Sequence, residues 1–396
     1  MKKIILLLVL IVSMTSEAQV TEIWTDYGGY WNSSSTNMNP VQPDNTHALL
    51  AFRFNGTNYS TGVDNAKLDN NNVTYTSLTV RALPIASLPI SGGGTSYFVG
   101  LGQLFDGIDN GVDNSATSPF PAITQGSEAA SFLTRGPQGL DLGSCLANIP
   151  SGTTSRFNLS SGGIKTSQLN DGIPDILVSQ IADPSSGGTD RLRFVNSSGT
   201  IVGNAVTIDL SNNTLFPAVG TWNPDFYNFN STQNSGNSNF INGTRDLRFF
   251  AVDLSSFGIT TANAGDAVAL VYEPRGTSDP AFIAFNEPSL GVASQISVNS
   301  QPSEQNCDGT LPNPIEVQIE DSDGFAVPQS NIEITATLST GPGDLLGTLV
   351  QTTNGNGVAT FNNLEFSVGG THTIEFSYSS LGTATTTPIT FPASCT

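Results

Sequence analysis

Hydrophobic and polar residues alternate with a period of two along much of the chain, and each alternating run ends at Gly, Asn or Ser. Clear runs lie at residues 50–54, 73–80 and 245–252. Successive side chains of a β-strand point to opposite faces, so this period is typical of strands. Asn-Gly pairs, which favour tight turns because both residues tolerate positive φ, recur between runs. The pattern predicts an all-β protein.

The runs fall into two groups that meet near residues 291–294. After this point Ile315, Val317 and Ile319 alternate with polar residues, and the remaining length suits one immunoglobulin-like domain. Before it, many short strands with Gly, Asn and Ser turns suggest a β-sandwich or jelly roll. We therefore predict an N-terminal β-sandwich/jelly-roll-like module, residues 19–293 (the first module), followed by an immunoglobulin-like β-sandwich, residues 294–396 (the second module).

Residues 1–18 have the pattern of a signal peptide. Lys2 and Lys3 precede nine apolar residues at 4–12, and small residues at 16 and 18 suit signal peptidase. The apolar run is too short to cross ~30 Å of hydrocarbon, and no later run is longer. We predict a secreted or cell-surface protein whose mature chain is not inserted into a membrane.

The charge of the chain narrows its function further. There are 33 acidic and 13 basic residues, a net charge of −20. A protein this acidic lacks the basic surface that nucleic acids require, which excludes a nucleic-acid partner. The second module has ten carboxylates and no Lys or Arg. The alternation places Glu316, Glu320, Glu333 and Glu375 outward, so we predict repulsion among its carboxylates.

Both modules contain stretches that resemble known families. The runs IEVQIEDSDGFAVP, NGNGVATFNNLEF and GGTHTIEFSY resemble a bacterial immunoglobulin-like (invasin/intimin-type) module, with His372 where the family usually has an aromatic residue. This resemblance implies a stalk or spacer. The runs TEIWTDYGGYW and YFVGLGQLFDGIDNGVDN resemble the leading region of large secreted Bacteroidetes-type surface proteins. No known activity comes with this family. The resemblance implies that this chain is a fragment of a longer protein.

Three cysteines are present, and export permits disulfides. Cys307 and Cys395 bracket the second module, so we predict that they form a disulfide. Cys145 is then left over, either as a buried free thiol or as a partner for another chain.

Two acidic, glycine-rich segments are candidates for binding calcium, which prefers six to eight oxygen ligands on a bendable loop. The candidate ligands are Asp106, Asp109, Asn110 and Asp113 in the first segment and Asp171 and Asp175 in the second. The alternative is that both are ordinary surface turns. The segment at residues 320–323 is predicted to be a solvated hairpin turn.

Two aromatic clusters beside Asn, Ser and Gly are candidates for contacting a glycan, because aromatic rings can stack on sugar faces. The candidates are Trp24, Tyr27, Tyr30 and Trp31 in one cluster and Trp222 and Tyr227 in the other. The alternative is that these rings pack against their own strands.

Catalytic signatures are missing from the sequence. The two histidines, His47 and His372, fall in different modules, and His372 lies on the apolar phase of its strand. No nucleophile elbow, zinc motif or phosphate loop is present. The mature part of the first module has four glutamates, Glu22, Glu128, Glu273 and Glu287. These features predict a binding or adhesion protein that contacts an extracellular glycan or a surface or matrix protein. A polysaccharide-active enzyme with an accessory second module and a structural matrix component remain alternatives.

Overall fold

The computed structural model describes residues 20–34, 47–89, 97–104, 123–149, 153–181, 189–229, 245–274, 279–307, 310–378 and 380–391. Strands account for 44% of the described residues and helices for 11%, which confirms the all-β prediction. No helix in these ranges is long and apolar enough to span a membrane. The predicted signal peptide and the first candidate calcium segment, with Asp106, Asp109, Asn110 and Asp113, lie outside the described residues.

The strands of the first module follow one another along the chain as β1 (Val20–Thr25), β2 (Trp31–Asn32), β3 (Leu49–Phe54), β4 (Thr57–Ser60), β5 (Thr76–Ser77), β6 (Val80–Ala82), β7 (Phe98–Leu104), β8 (Ser144–Ala147), β9 (Ser155–Asn158), β10 (Ile176–Gln180), β11 (Asp190–Val195), β12 (Ile201–Ile208), β13 (Gly220–Asn228), β14 (Arg245–Val252), β15 (Ala269–Glu273) and β16 (Ile283–Asn286). Those of the second module are β17 (Gln295–Ser300), β18 (Ile315–Glu320), β19 (Glu333–Thr340), β20 (Leu345–Leu346), β21 (Val350–Thr352), β22 (Val358–Phe361), β23 (Glu365–Phe366), β24 (Gly370–Tyr378), β25 (Gly382–Thr385) and β26 (Ile389–Phe391).

The helices are short and lie in the connections of the first module. Two are α-helical, α1 (Asn65–Asn70) and α2 (Gly126–Ala130). Single 3-10 turns occur at Tyr27–Gly29, Ser131–Leu133, Pro137–Gly139, Thr166–Gln168, Leu254–Phe257, Ala264–Asp266 and Glu287–Ser289.

The first module has three layers of sheet. Its central layer is a seven-stranded sheet in the order β6-β16-β10-β14-β13-β7-β8, flanked by a four-stranded sheet (β12-β11-β15-β9) and a five-stranded sheet (β2-β1-β3-β4-β5). The central sheet is buried on both faces. On β14, Phe250 and Val252 enter the core shared with the four-stranded sheet, whereas Phe249 and Ala251 enter the core shared with the five-stranded sheet. This explains why residues 248–252 include an unbroken apolar run rather than the alternation predicted for them.

The second module packs a three-stranded sheet (β17-β18-β22) against a five-stranded sheet in which β26 also pairs with β24. Its core confirms the predicted alternation on β18, β19 and β24, and its central aromatic pair is Phe361 and Phe376, with ring centroids 4.9 Å apart. His372 is buried, stacks on Phe366 at 4.0 Å, and its Nε2 lies 3.0 Å from the Pro342 carbonyl oxygen. His372 is therefore a structural residue, as its strand phase predicts.

The outward carboxylates of the second module are not directly opposed to one another. Glu316 faces Ser300 and Thr360, and Glu320 faces Gln295. Glu333 faces Thr352, and Glu375 faces Thr337 and Thr385. None of these four glutamates is therefore directly opposite another acidic residue, which is the arrangement in which the predicted repulsion would be strongest.

Candidate functional site

The two modules are joined by a segment that is buried along its length. Leu290 and Val292 belong to a core of the first module, whereas Ala293 and Ile296 belong to the core of the second. The Gly291 amide donates to the Gly163 carbonyl oxygen at 2.7 Å, and the Ser294 amide donates to the Glu320 carbonyl oxygen at 2.9 Å. A connection anchored in both cores holds the modules in a fixed relation, in contrast to an exposed flexible linker.

A buried hydrogen bond fastens the second module to the first beside this segment. The Ser160 hydroxyl donates to Asp321 Oδ2 at 2.5 Å, and Asp321 is fully buried. The other oxygen of Asp321 accepts from the amides of Asp323 and Phe325. The prediction of a solvated turn at residues 320–323 is thus wrong for Asp321, because this turn docks against the first module.

Charged and amide side chains extend the contact on either side. Lys165 Nζ lies 2.5 Å from Asp323 Oδ2, so the first module supplies a cation that the second lacks. Asn158 Nδ2 donates to the Pro328 carbonyl oxygen at 2.7 Å. Arg81, which pairs with Glu287 of its own module at 2.5 Å, donates to the Ser380 carbonyl oxygen of the second module at 2.7 Å. These contacts join residues more than 150 positions apart into one interface.

Two open grooves follow this interface, and residues of both modules line each of them. The first has a volume of about 250 Å³ and is lined by Pro84, Ile85, Ala86, Ser87, Thr154, Ser155, Arg156, Phe157, Asn158, Gln329, Ser330 and Asn331. The second has a volume of about 230 Å³ and is lined by Ala86, Ser127, Ser131, Glu333, Thr335, Ser377 and Tyr378. Ala86 borders both grooves.

The lining offers hydroxyl and amide groups rather than a catalytic pair. Burial raises the pKa of Tyr378 to about 12, so its hydroxyl keeps its proton and donates to the Ile85 carbonyl oxygen at 3.4 Å. Among the described lining residues Arg156 and Glu333 are charged, and neither a histidine nor a cysteine is present. Such a surface can exchange hydrogen bonds with a hydrated, polar ligand.

The aromatic residues predicted to contact a glycan lie elsewhere, inside the first module. Five of the six are buried, namely Trp24, Tyr27, Trp31, Trp222 and Tyr227. Trp222 donates its indole N–H to the Ile181 carbonyl oxygen, and Tyr27 packs edge-on against His47. The prediction of sugar contacts is therefore wrong for these five, because layers of sheet cover their rings; Tyr30 is half-buried beside Trp24.

The second calcium segment has a structural role in this fold. Asp175 is buried, and its oxygens accept from the Leu254 amide and the Ser289 hydroxyl. Burial raises the pKa of Asp175 to about 7 and also raises that of the more exposed Asp171. Among the described residues, no group of three or more His, Cys, Asp or Glu side chains is arranged to hold a metal ion.

Each of the four glutamates of the first module has a structural partner. Glu22 pairs with Arg53, Glu273 with Arg193 and Glu287 with Arg81, while Glu128 completes a capping box at α2. Glu273 is the last residue of β15, and Glu287 is the first residue of the 3-10 turn that follows β16. Both carboxylates stabilise the fold through their ion pairs with arginines.

Neither of the two described cysteines, Cys145 and Cys307, lines a groove. Cys145 is a buried free thiol, one of the two states left open for it, and burial raises its pKa well above the usual value. Cys307 is disulfide-bonded, while Cys395 lies outside the described residues, so the pairing of these two stays a prediction.

Sequence reasoning did not find the groove residues or Ser160, since they come from five separate segments without a shared motif. The available signals were the Asp-Ser-Asp-Gly turn at 321–324 and the placement of Tyr378 on the apolar phase of its strand. Comparison of the chain with protein-family models gives no match, and comparison with curated proteins gives none either. The two family resemblances therefore stay predictions.

Proposed function

We propose that this chain is a secreted or cell-surface binding protein that holds an uncharged polar ligand, such as a glycan segment, in the grooves between its modules. The second module then acts as part of the binding site as well as a spacer. The observation that carries the proposal is the composition of the grooves, where hydroxyl and amide groups from both modules converge. The signal-like residues 1–18 support export.

Binding is favoured over hydrolysis of a polysaccharide for a chemical reason. A glycosidase needs two carboxyl groups about 5–10 Å apart across the scissile bond. Among its described lining residues the second groove offers Glu333 as its carboxylate, and the four glutamates of the first module are engaged in ion pairs or caps. Among the described lining residues of the two grooves no second carboxylate accompanies Glu333, so the lining favours recognition of a ligand.

The test is a glycan array probed with the mature chain, followed by titration of each hit against an Ala86→Trp variant. Ala86 is half-buried and borders both grooves, so an indole ring there fills the space that a ligand needs. We expect at least a tenfold loss of affinity, about 1.4 kcal/mol. Ala262→Trp, at an exposed turn, is the matched control and should bind as the parent does.

Other outcomes distinguish the alternatives. Hits that bind Ala86→Trp and the parent equally would contradict the groove assignment. Release of reducing sugar from a hit would indicate an enzyme, and the absence of any hit would favour a structural matrix component.

A further inference from the structure

Basic residues are scarce in this chain, but three arginines share the outer face of the four-stranded sheet. Arg191 and Arg193 lie on β11 and alternate with Leu192 and Phe194, which enter the core. Arg156 lies on β9 next to Phe157, which enters the same core. Inward and outward residues alternate along a strand, so all three arginines point away from the core. We call these residues the arginine face.

The register of the sheet places these arginines close to one another. Arg193 is directly opposite Val271 of β15, and Val271 is directly opposite Arg156 of β9. Arg191 is opposite Glu273. Two successive pairings of about 5 Å each place the Cα atoms of Arg193 and Arg156 about 10 Å apart.

Within the described residues, Arg156 and Arg191 form no ion pair with a carboxylate. Arg193 pairs with Glu273 at 2.6 Å. Arg156 donates to Asn158 Oδ1 at 2.9 Å, and neither it nor Arg191 has a carboxylate partner within the described residues. Five other cations of the described chain are paired with acids, in Arg53–Glu22, Lys67–Asp64, Arg81–Glu287, Lys165–Asp323 and Arg248–Asp246. The arginine face is thus a positive area on a strongly acidic molecule.

The second module carries a surface that is acidic where the arginine face is basic, and that also exposes apolar side chains. Of the six large hydrophobic side chains that are exposed in the described residues, four lie between positions 346 and 368: Leu346, Leu349, Val350 and Val368, each 37% to 46% exposed. Two carboxylates lie near these side chains. Glu365 is directly opposite Leu346 in the sheet. Asp344 lies beside Ser367, because the Ser367 amide donates to the Asp344 carbonyl oxygen. We call these six residues the acidic edge.

We propose that the arginine face of one copy of this chain binds the acidic edge of a second copy. Charge complementarity supports this partner, because the second module has no Lys or Arg and the edge surrounds exposed apolar side chains with carboxylates. No ion pair joins the two surfaces within the described part of one chain, and the junction fixes the modules in place. The acidic edge of a second copy is then an acidic surface that these arginines can reach.

The two surfaces are different patches of the molecule, so the contact is heterologous. Head-to-tail contacts of this kind continue from copy to copy and give rings or open chains rather than closed two-fold dimers. The attraction is between charged groups near the surface. It therefore weakens as added salt shortens the Debye length, which is about 10 Å at 0.1 M.

The test is sedimentation velocity of the mature chain over a concentration series in 0.05 M and 0.5 M sodium chloride. We expect the weight-average sedimentation coefficient to rise with concentration at low salt and to rise much less at high salt. Arg191→Glu should weaken association at least tenfold, and Arg191→Gln should weaken it less. The neutral variant keeps the test valid if the charge reversal beside Glu273 harms folding, which thermal melts of each variant report.

A charge exchange identifies the partner surface. Asp344→Lys combined with Glu365→Lys should also abolish self-association, and mixing this variant with Arg191→Glu should restore a complex. Lys67→Glu on helix α1 is the control, because it makes the same charge change as Arg191→Glu outside the arginine face. It should associate as the parent does. A monomer at every concentration, or equal association of Arg191→Glu and the parent, would overturn the proposal. So would a monomer that binds an anionic polysaccharide through Arg191, since the face would then serve a different partner.

Discussion

Asp175 is a carboxyl group held almost entirely away from water, with 1% of its surface exposed. It connects the turn at Leu254–Phe257 to the turn at Glu287–Ser289 through its two oxygens. Burial raises the pKa of Asp175 to about 7, and the nearby charges of Asp253 and Asp171 act in the same direction. At neutral pH this single residue is close to its titration point.

The stability of the protein should therefore depend on pH through Asp175. The folded state holds this proton up to a pH of about 7, whereas the unfolded chain releases it near 4, so the folded state binds more protons between these values. The contribution to the free energy of unfolding is greatest below pH 4 and falls by about 1.4 kcal/mol for each unit between pH 5 and 7. Asp175→Asn cannot ionise, so its denaturant midpoint should change less over this range. Equal slopes for variant and parent would contradict this expectation.

At the same scale, the sequence predicted some side chains correctly and others wrongly, for physical reasons. The phase of His372 in its strand predicts its burial, because neighbours at i±2 report directly on which face is inward. Trp24 and Trp222 were misjudged because their polar sequence neighbours indicate an exposed loop, whereas their burial comes from sheets far away in sequence. Asp321 was misjudged for the same reason, since its partner Ser160 is 161 positions away.

At the scale of elements, the segment between β16 and β17 shows how closely the modules approach. A Cβ atom on Gly291 would lie 2.3 Å from Ser160 Oγ and 3.0 Å from Asp321 Oδ2. Ser160 is held by its bond to Asp321 and cannot move without breaking it. Position 291 therefore has no room for a side chain. The alternation pattern predicts which face of a strand is buried, so it contains no information about how closely the two modules approach each other here.

Gly291→Ala should lower the free energy of unfolding by about 1–3 kcal/mol, as overpacking of a close contact does. Gly265→Ala is the matched control, because a Cβ atom there meets nothing within 4 Å, and its stability should stay within about 0.5 kcal/mol of the parent. Denaturant melts of the three proteins give the comparison. A Gly291→Ala midpoint equal to that of the control would show that the modules can separate at this point.

At the scale of the whole molecule, the alternation pattern predicted two modules but not their contact. The buried Ser160–Asp321 bond and the Lys165–Asp323 ion pair make the stability of each module depend on the other. Removal of one partner of a buried hydrogen bond costs about 1–3 kcal/mol. The contact is invisible in the sequence because each side of it is an ordinary turn.

Calorimetry of the mature chain should accordingly show one cooperative unfolding transition that includes both modules. Ser160→Ala combined with Lys165→Ala should separate it into two, because Asp321 and Asp323 then lose their partners in the first module. Ser198→Ala, at the exposed turn between β11 and β12, should leave a single transition. Two independent transitions in the parent would mean that the contact contributes little.

Strand β24 links the C-terminal strand β26 to the second groove, which fixes the route that a pulling force on this end of the chain would take. Its first residues, Gly370, Thr371 and His372, pair with β26, while its last residues, Ser377 and Tyr378, line the second groove. A pull applied beyond Phe391 therefore loads the beginning of β24 and travels along about 30 Å of one extended backbone to the groove. There the strand contacts the first module, because the Tyr378 hydroxyl donates to the Ile85 carbonyl oxygen, so the force reaches both modules. Force on β26 and a ligand in the second groove would then act on the same strand.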